Sequence, residues 1–139
     1  MSEFQYKAGV NHVGSYQVSG IPYATSSLII PSGSAEPMTI VFPSVTQHIH
    51  ITNYNNSYGV RVGFSRNGVK DGQHVLLQKQ DAAGKNIYSI EMRVKVDRIY
   101  LLSDDNSNNV SNVNVYAELT GIKPDFNLAA AYSGSAGIG

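Results

Sequence analysis

The chain has 139 residues, a length at which folding buries roughly two thirds of the unfolded surface, so a core can hold the fold without metals or crosslinks. Ten Lys and Arg balance ten Asp and Glu, which removes the charge excess expected of a protein that binds nucleic acid, an acidic membrane or a polyanion. The absence of cysteine removes disulfides and thiolate chemistry.

The opening MSEFQYKAGV has no basic segment followed by an apolar run, and nowhere does the chain approach the about eighteen apolar residues of a membrane span. A soluble, uncleaved chain without membrane contact is expected. Residues 1–9 read as an N-terminal arm. Strand candidates then follow at 10–18, 24–30, 38–42 and 45–53. In the last of these, Val45, Ile49 and Ile51 share one face by the period of two and are assigned to the core. That leaves Thr46, His48, His50 and Thr52 facing outward.

Val60, Val62 and Phe64 alternate with Arg61, Gly63 and Ser65, as a half-buried strand requires. A weaker candidate spans 74–79. Ile90, Met92, Val94 and Val96 alternate with Glu91, Arg93, Lys95 and Asp97, and Val113, Val115, Ala117 and Leu119 with Asn114, Tyr116, Glu118 and Thr120. Between these two lies a candidate at 98–103. The inward parity breaks between Val96 and Ile99, so a tight turn or bulge is expected near Asp97-Arg98.

Turn formers separate the runs: residues 31–34, 55–59, Asn67-Gly68, Asp71-Gly72, 83–86 and 104–109. Asn-Gly and Asp-Gly tolerate the positive φ of tight turns, so several connections are expected to be antiparallel hairpins. No window carries a 3.6-residue apolar repeat free of Gly, Pro or Asn clusters, and helix is a minor component at most. The pattern predicts an all-β protein, an antiparallel β-sandwich over residues 10–122. Strand number favours a jelly-roll-like arrangement over an immunoglobulin-like one. Residues 123–139 are small, glycine-studded and nearly uncharged, yet contain Phe126, Leu128 and Tyr132; the functional reading is an extended arm that orders against a neighbouring subunit.

Chemical constellations are few. His48 and His50 are i and i+2 on a strand, and resemble the His-x-His metal pair of the cupins. The glutamate that follows in that motif is absent: no carboxylate occurs until Asp71. His12 and His74 supply a third ligand only by tertiary accident, so no metal is assigned. Residues 104–109 place oxygen side chains at the first, third and fifth positions of a calcium loop, but its sixth position is Asn109 and its twelfth Val115, where glycine and glutamate are required. A solvated hairpin loop is the better account. The chain contains no G-x-S-x-G elbow, and the glycines of residues 134–139 are in the wrong order for a dinucleotide loop. No enzymatic activity and no cofactor are expected.

Among the nine tyrosines, Tyr54 and Tyr58 flank an asparagine turn, and with Asn55 and Asn56 could stack a sugar or touch a protein partner. The segment Thr46-Gln47-His48-Ile49-His50-Ile51-Thr52-Asn53-Tyr54, read as a hairpin running into Gly59-Val60-Arg61-Val62-Gly63-Phe64-Ser65-Arg66-Asn67-Gly68-Val69, together with Arg98-Ile99-Tyr100-Leu101-Leu102-Ser103 and Ala117-Glu118-Leu119-Thr120-Gly121-Ile122, resembles small virion proteins of tailed bacteriophages, above all capsid decoration or cement proteins. The resemblance spans residues 45–122. It implies a homo-oligomeric β-sandwich in a virion assembled in the host cytoplasm, bound to the major capsid protein or another virion protein, with no catalytic residues. The partner contacts expected are His48, His50, Tyr54, Tyr58, Phe126, Leu128 and Tyr132. A carbohydrate-binding module, as in recognition of a host surface, is the alternative. Protonation of the two histidines near pH 6 is expected to set like charges side by side and weaken any contact made there.

Overall fold

A computed structural model describes residues 20–122. The expected strand at 10–18, both terminal arms and the contacts assigned to Phe126, Leu128 and Tyr132 lie outside the described residues. Within them, eight strands and one short helix make two antiparallel four-stranded sheets packed as a β-sandwich. Sheet A runs in the order β1 (Ile21–Ile30), β8 (Val110–Leu119), β3 (Thr46–Asn53), β6 (Ser89–Met92). Sheet B runs β2 (Met38–Val41), β7 (Arg98–Ser103), β4 (Val60–Gly63), β5 (His74–Leu77).

The period-two runs place the core as expected. Ile49 and Ile51 of β3 are fully buried, and they lie opposite Ala117 and Val115 of β8, also buried. From sheet B come Ile40, Val60, Val62, Leu77, Ile99 and Leu101, and Phe42 meets Tyr23 edge to face at 5.1 Å. Burying each such aliphatic side chain contributes about 1.5–3 kcal/mol.

The expected hairpins are largely absent. Strands consecutive in sequence alternate between the sheets at every connection except β4 to β5, so the turn formers at 31–34, 55–59, 83–86 and 104–109 carry the chain across the sandwich. Thus β3 and β4, read from sequence as a hairpin, pair in different sheets. The β4–β5 connection is itself a helix, α1 (Arg66–Asp71), where a tight Asn67-Gly68 turn was expected. Ser65 explains it: its Oγ accepts the Gly68 N–H at 2.9 Å as an N-cap, and Gly72 closes the last turn at φ 96°. α1 packs beside β4, and a Cβ on Gly63 would stand 3.0 Å from that of Val69. Val69 of the helix and Leu102 of β7 are fully buried but stand apart from the inter-sheet cluster, a small second core on the outer side of sheet B.

Two parity expectations are corrected. The alternation of residues 90–96 outlasts β6, which ends at Met92; residues 93–97 cross from sheet A to sheet B, and this crossing, not a turn or bulge inside a strand, absorbs the break. Val96 accepts the Thr46 N–H at 2.9 Å and Asp97 the Phe42 N–H at 2.8 Å, which holds the crossing against both sheets. Thr46, expected outside, is fully buried, because the β3–β8 register shifts between Thr46 and His48. Its hydroxyl donates to the Val94 carbonyl at 2.7 Å and accepts the Val96 N–H at 3.2 Å, which satisfies a polar group in the interior.

Candidate functional site

The two outer faces of the sandwich differ. On sheet B, α1 covers β4, and Glu36 clamps the helix to the β1–β2 connection by accepting from Arg66 Nε at 2.6 Å, with Lys70 Nζ 3.6 Å away. Arg66 is the main reason the Glu36 carboxyl is lowered to about 2, and its own pKa is raised in return. Among the described residues, no helix or loop covers the outer face of sheet A. It presents His50 of β3 beside Tyr116 of β8 and Glu91 of β6, and Thr52 beside Asn114 and Ser89. One step along, His48 lies opposite Glu118.

His48 and His50 therefore share this face as the spacing predicted. Among the described residues, no group of three or more His, Asp or Glu side chains converges on them. His50 Nε2 lies 2.8 Å from Ser89 Oγ, and His48 Nε2 lies 3.9 Å from Glu91. His74 sits on sheet B, its Nδ1 3.3 Å from the Gly68 carbonyl, and His12 is outside the described residues. Two carboxylates share this face with the imidazoles: Glu91 pairs in register with His50, and Glu118 with His48.

The tyrosine pair divides. Tyr54 is exposed, whereas Tyr58 packs against the inter-sheet core. Asn55, expected to meet a sugar, is occupied in its own loop: its Oδ1 accepts the N–H groups of Ser57 and Tyr58 at 2.8 and 2.9 Å, and its Nδ2 donates to Ser111 Oγ. Asn53 anchors the same loop from inside, donating from Nδ2 to the carbonyls of Tyr58 and Gln78.

The loop over residues 104–109 is likewise self-satisfied. Asp105 Oδ1 accepts from Ser107 N, Asn108 N and Asn108 Nδ2 within 3.1 Å, and the bond from Ser107 leads the causes that lower its pKa. Asp104 pairs with Arg61 at 2.9 Å. The loop is also no hairpin; it joins sheet B to sheet A and is stitched to the β1–β2 connection by Gly33 N to Asp105 O and Ser34 Oγ to Asn106 O, both 2.8 Å.

What sequence reasoning missed is a groove of about 360 Å³ on the sheet A face, lined by Ala24, Thr25 and Ser26 of β1, His50 and Thr52 of β3, Tyr54, and Asn114, Val115 and Tyr116 of β8. The signal for Tyr116 was present, since it falls on the outward parity of the most regular strand. Nothing in the sequence said that β3 lies beside β8. A second overlooked feature is the buried Asp97, whose Oδ2 accepts from Arg98 Nη2 at 3.2 Å and is the main reason the Arg98 pKa is raised. No family model matches the chain, nor does any curated protein or solved structure.

Proposed function

We propose that this protein is a non-enzymatic virion structural protein that binds the surface of a phage capsid, as a homo-oligomer, and decorates or stabilises it. The observation that carries the proposal is the character of the sheet edges. Strands at the edge of a sheet expose unpaired N–H and C=O groups, and proteins that stay monomeric blunt them with charge or proline. Among the described residues, three edge strands put large apolar side chains in solvent: Ile21 and Ile29 on β1 at 55% and 61%, Val41 on β2 at 55%, and Val75 and Leu76 on β5 at 40% and 42%. Such edges suit a protein completed by neighbours. A neutral chain adds no repulsion between copies.

The wiring supports the jelly-roll form of the sandwich. Immunoglobulin-like domains pair several consecutive strands within one sheet; among the described residues β4 and β5 alone do so, and β1, β3, β6 and β8 interleave through the other sheet. Jelly rolls recur in viral capsids, which is an analogy of fold and raises the expectation without deciding it.

Sedimentation of phage capsids with the full chain tests the proposal. Saturable co-sedimentation at a fixed ratio to the major capsid protein is expected, reduced in a Val75→Lys, Leu76→Lys double variant or an Ile29→Lys variant that remains folded. Absence of co-sedimentation from every capsid tried, at concentrations where the chain is oligomeric, would sink it.

A further inference from the structure

We infer that the groove on sheet A is a binding site for a neutral sugar, held between Tyr54 and Tyr116 over a floor of Thr52, Asn114 and His50. This goes beyond attachment to a capsid and does not depend on it. The backbone gives the first argument. Among the described residues, the only non-glycine positions with φ in the left-handed region are Ser27 at 57° and Asn112 at 61°. Both belong to the β1–β8 pair, whose register is interrupted between Thr25 and Leu28, directly beside the groove. Such conformations cost free energy and persist where surrounding contacts enforce them.

The enforcing contacts shape the site. Asn114 Oδ1 accepts the Ser27 N–H at 3.1 Å, which pins the displaced part of β1 to a residue of the groove lining. The Asn112 carbonyl accepts the Tyr54 N–H at 3.0 Å, which sets Tyr54 at the rim. Tyr116 stands on β8 between Ala24 of β1 and His50 of β3, and Ala24 is small enough to leave the flank of its ring uncovered.

The lining selects the ligand class. Among the described residues it contains no Asp, Glu, Lys or Arg, so an ionic ligand would find no countercharge there, while Glu91 and Glu118 beside it disfavour anions. The two tyrosines remain 47% and 39% exposed, apolar faces suited to the C–H face of a pyranose. Between them stand groups that donate and accept: the Thr52 hydroxyl, the Asn114 amide and the His50 imidazole, whose Nε2 is already shared with Ser89 and Thr52 at 2.8 and 3.5 Å. Sugar hydroxyls, each both donor and acceptor, match that mixture. The volume, about 360 Å³, is at the small end of ligand clefts and fits a sugar ring or a disaccharide.

Saturation-transfer NMR of the full chain with the methyl glycosides of glucose, galactose, mannose and N-acetylglucosamine, and with maltose, cellobiose and lactose, tests this. At least one should bind in the millimolar range or tighter. Tyr54→Ala and Tyr116→Ala should each weaken it by about tenfold or more, and Thr52→Val should weaken it measurably. Asp71→Ala, exposed at the end of α1 beside sheet B and outside the lining, should leave it unchanged, and each variant is checked for native circular dichroism. No transfer to any of these sugars at about 10 mM overturns the inference. So does binding that survives both tyrosine substitutions, or a preference for sialic acid over every neutral sugar.

Discussion

Asn53 offers the sharpest test of how the exposed end of β3 is held. It is fully buried, donates from Nδ2 to the carbonyls of Tyr58 at 3.0 Å and Gln78 at 3.2 Å, and accepts the Asn55 N–H at 3.0 Å. Asn53→Asp keeps the volume and the acceptor but replaces the donor with an oxygen aimed at two carbonyls. Two net hydrogen bonds of about 1 kcal/mol each are lost, and an uncompensated buried charge adds several more, so we expect a loss of about 4 kcal/mol at pH 7. Asn53→Ala loses the same bonds without the charge and should cost less, about 2–3 kcal/mol. Urea unfolding followed by tyrosine fluorescence and far-ultraviolet circular dichroism measures both. The sign of the pH dependence separates them further. Burial against carbonyls raises the introduced carboxyl above its unfolded value, so its penalty is full above the folded pKa and fades as pH falls toward about 4. The gap between Asn53→Asp and Asn53→Ala should therefore narrow in acid. An Asn53→Asp protein within about 1 kcal/mol of wild type at pH 7, or a gap that widens on acidification, would refute the reasoning.

Two more expectations follow from interior and surface polar groups. Thr46→Val, which leaves the Val96 N–H and the Val94 carbonyl without the hydroxyl they share, should destabilise by about 2 kcal/mol, whereas Thr46→Ser should lose about 1 kcal/mol for its methyl group; equal stability of the valine variant and wild type in urea would show that the crossing is not held there. Glu36 is depressed from 4.5 to about 2 by Arg66, so its contribution is present above pH 4.5 and is lost as pH falls toward 2. Because the pair is exposed, the effect should be modest and shrink in salt. Melting temperature of wild type should fall more steeply across that window than that of Glu36→Gln, and parallel curves at low salt would count against the clamp.

The facing of side chains was legible in the sequence wherever a strand was regular. Val113, Val115, Ala117 and Leu119 all point inward as their alternation requires, and Ile49 and Ile51 correctly placed His48 and His50 outside. A period of two says which face, not which sheet. Residues 90–96 kept their alternation through a crossing because Val94 and Val96 still meet apolar surroundings there. Thr46 broke parity because a register shift, invisible in composition, turned a hydroxyl toward two backbone groups. The helix was missed because six residues are too few for an apolar repeat; the Ser65 cap three residues ahead of Gly68 was its real signature. The groove depends on β1, β8 and β3 being neighbours, and that adjacency joins opposite ends of the described chain.

The same adjacency bears on how the molecule comes into being. Among the described residues, β1 pairs only with β8 in sheet A, Ile21 opposite Leu119 and Ile30 opposite Val110. The first described strand thus waits for the last before it can close, and a contact map so dominated by distant partners belongs to slow folders, with times of milliseconds to seconds. On the ribosome the wait is longer: at about 5–20 residues per second, β1 leaves the tunnel some 5–20 s ahead of its partner. During that interval Leu28 and Ile30 have no β8 beside them, and whatever shields nascent apolar strands in the producing cell acts on β1 first.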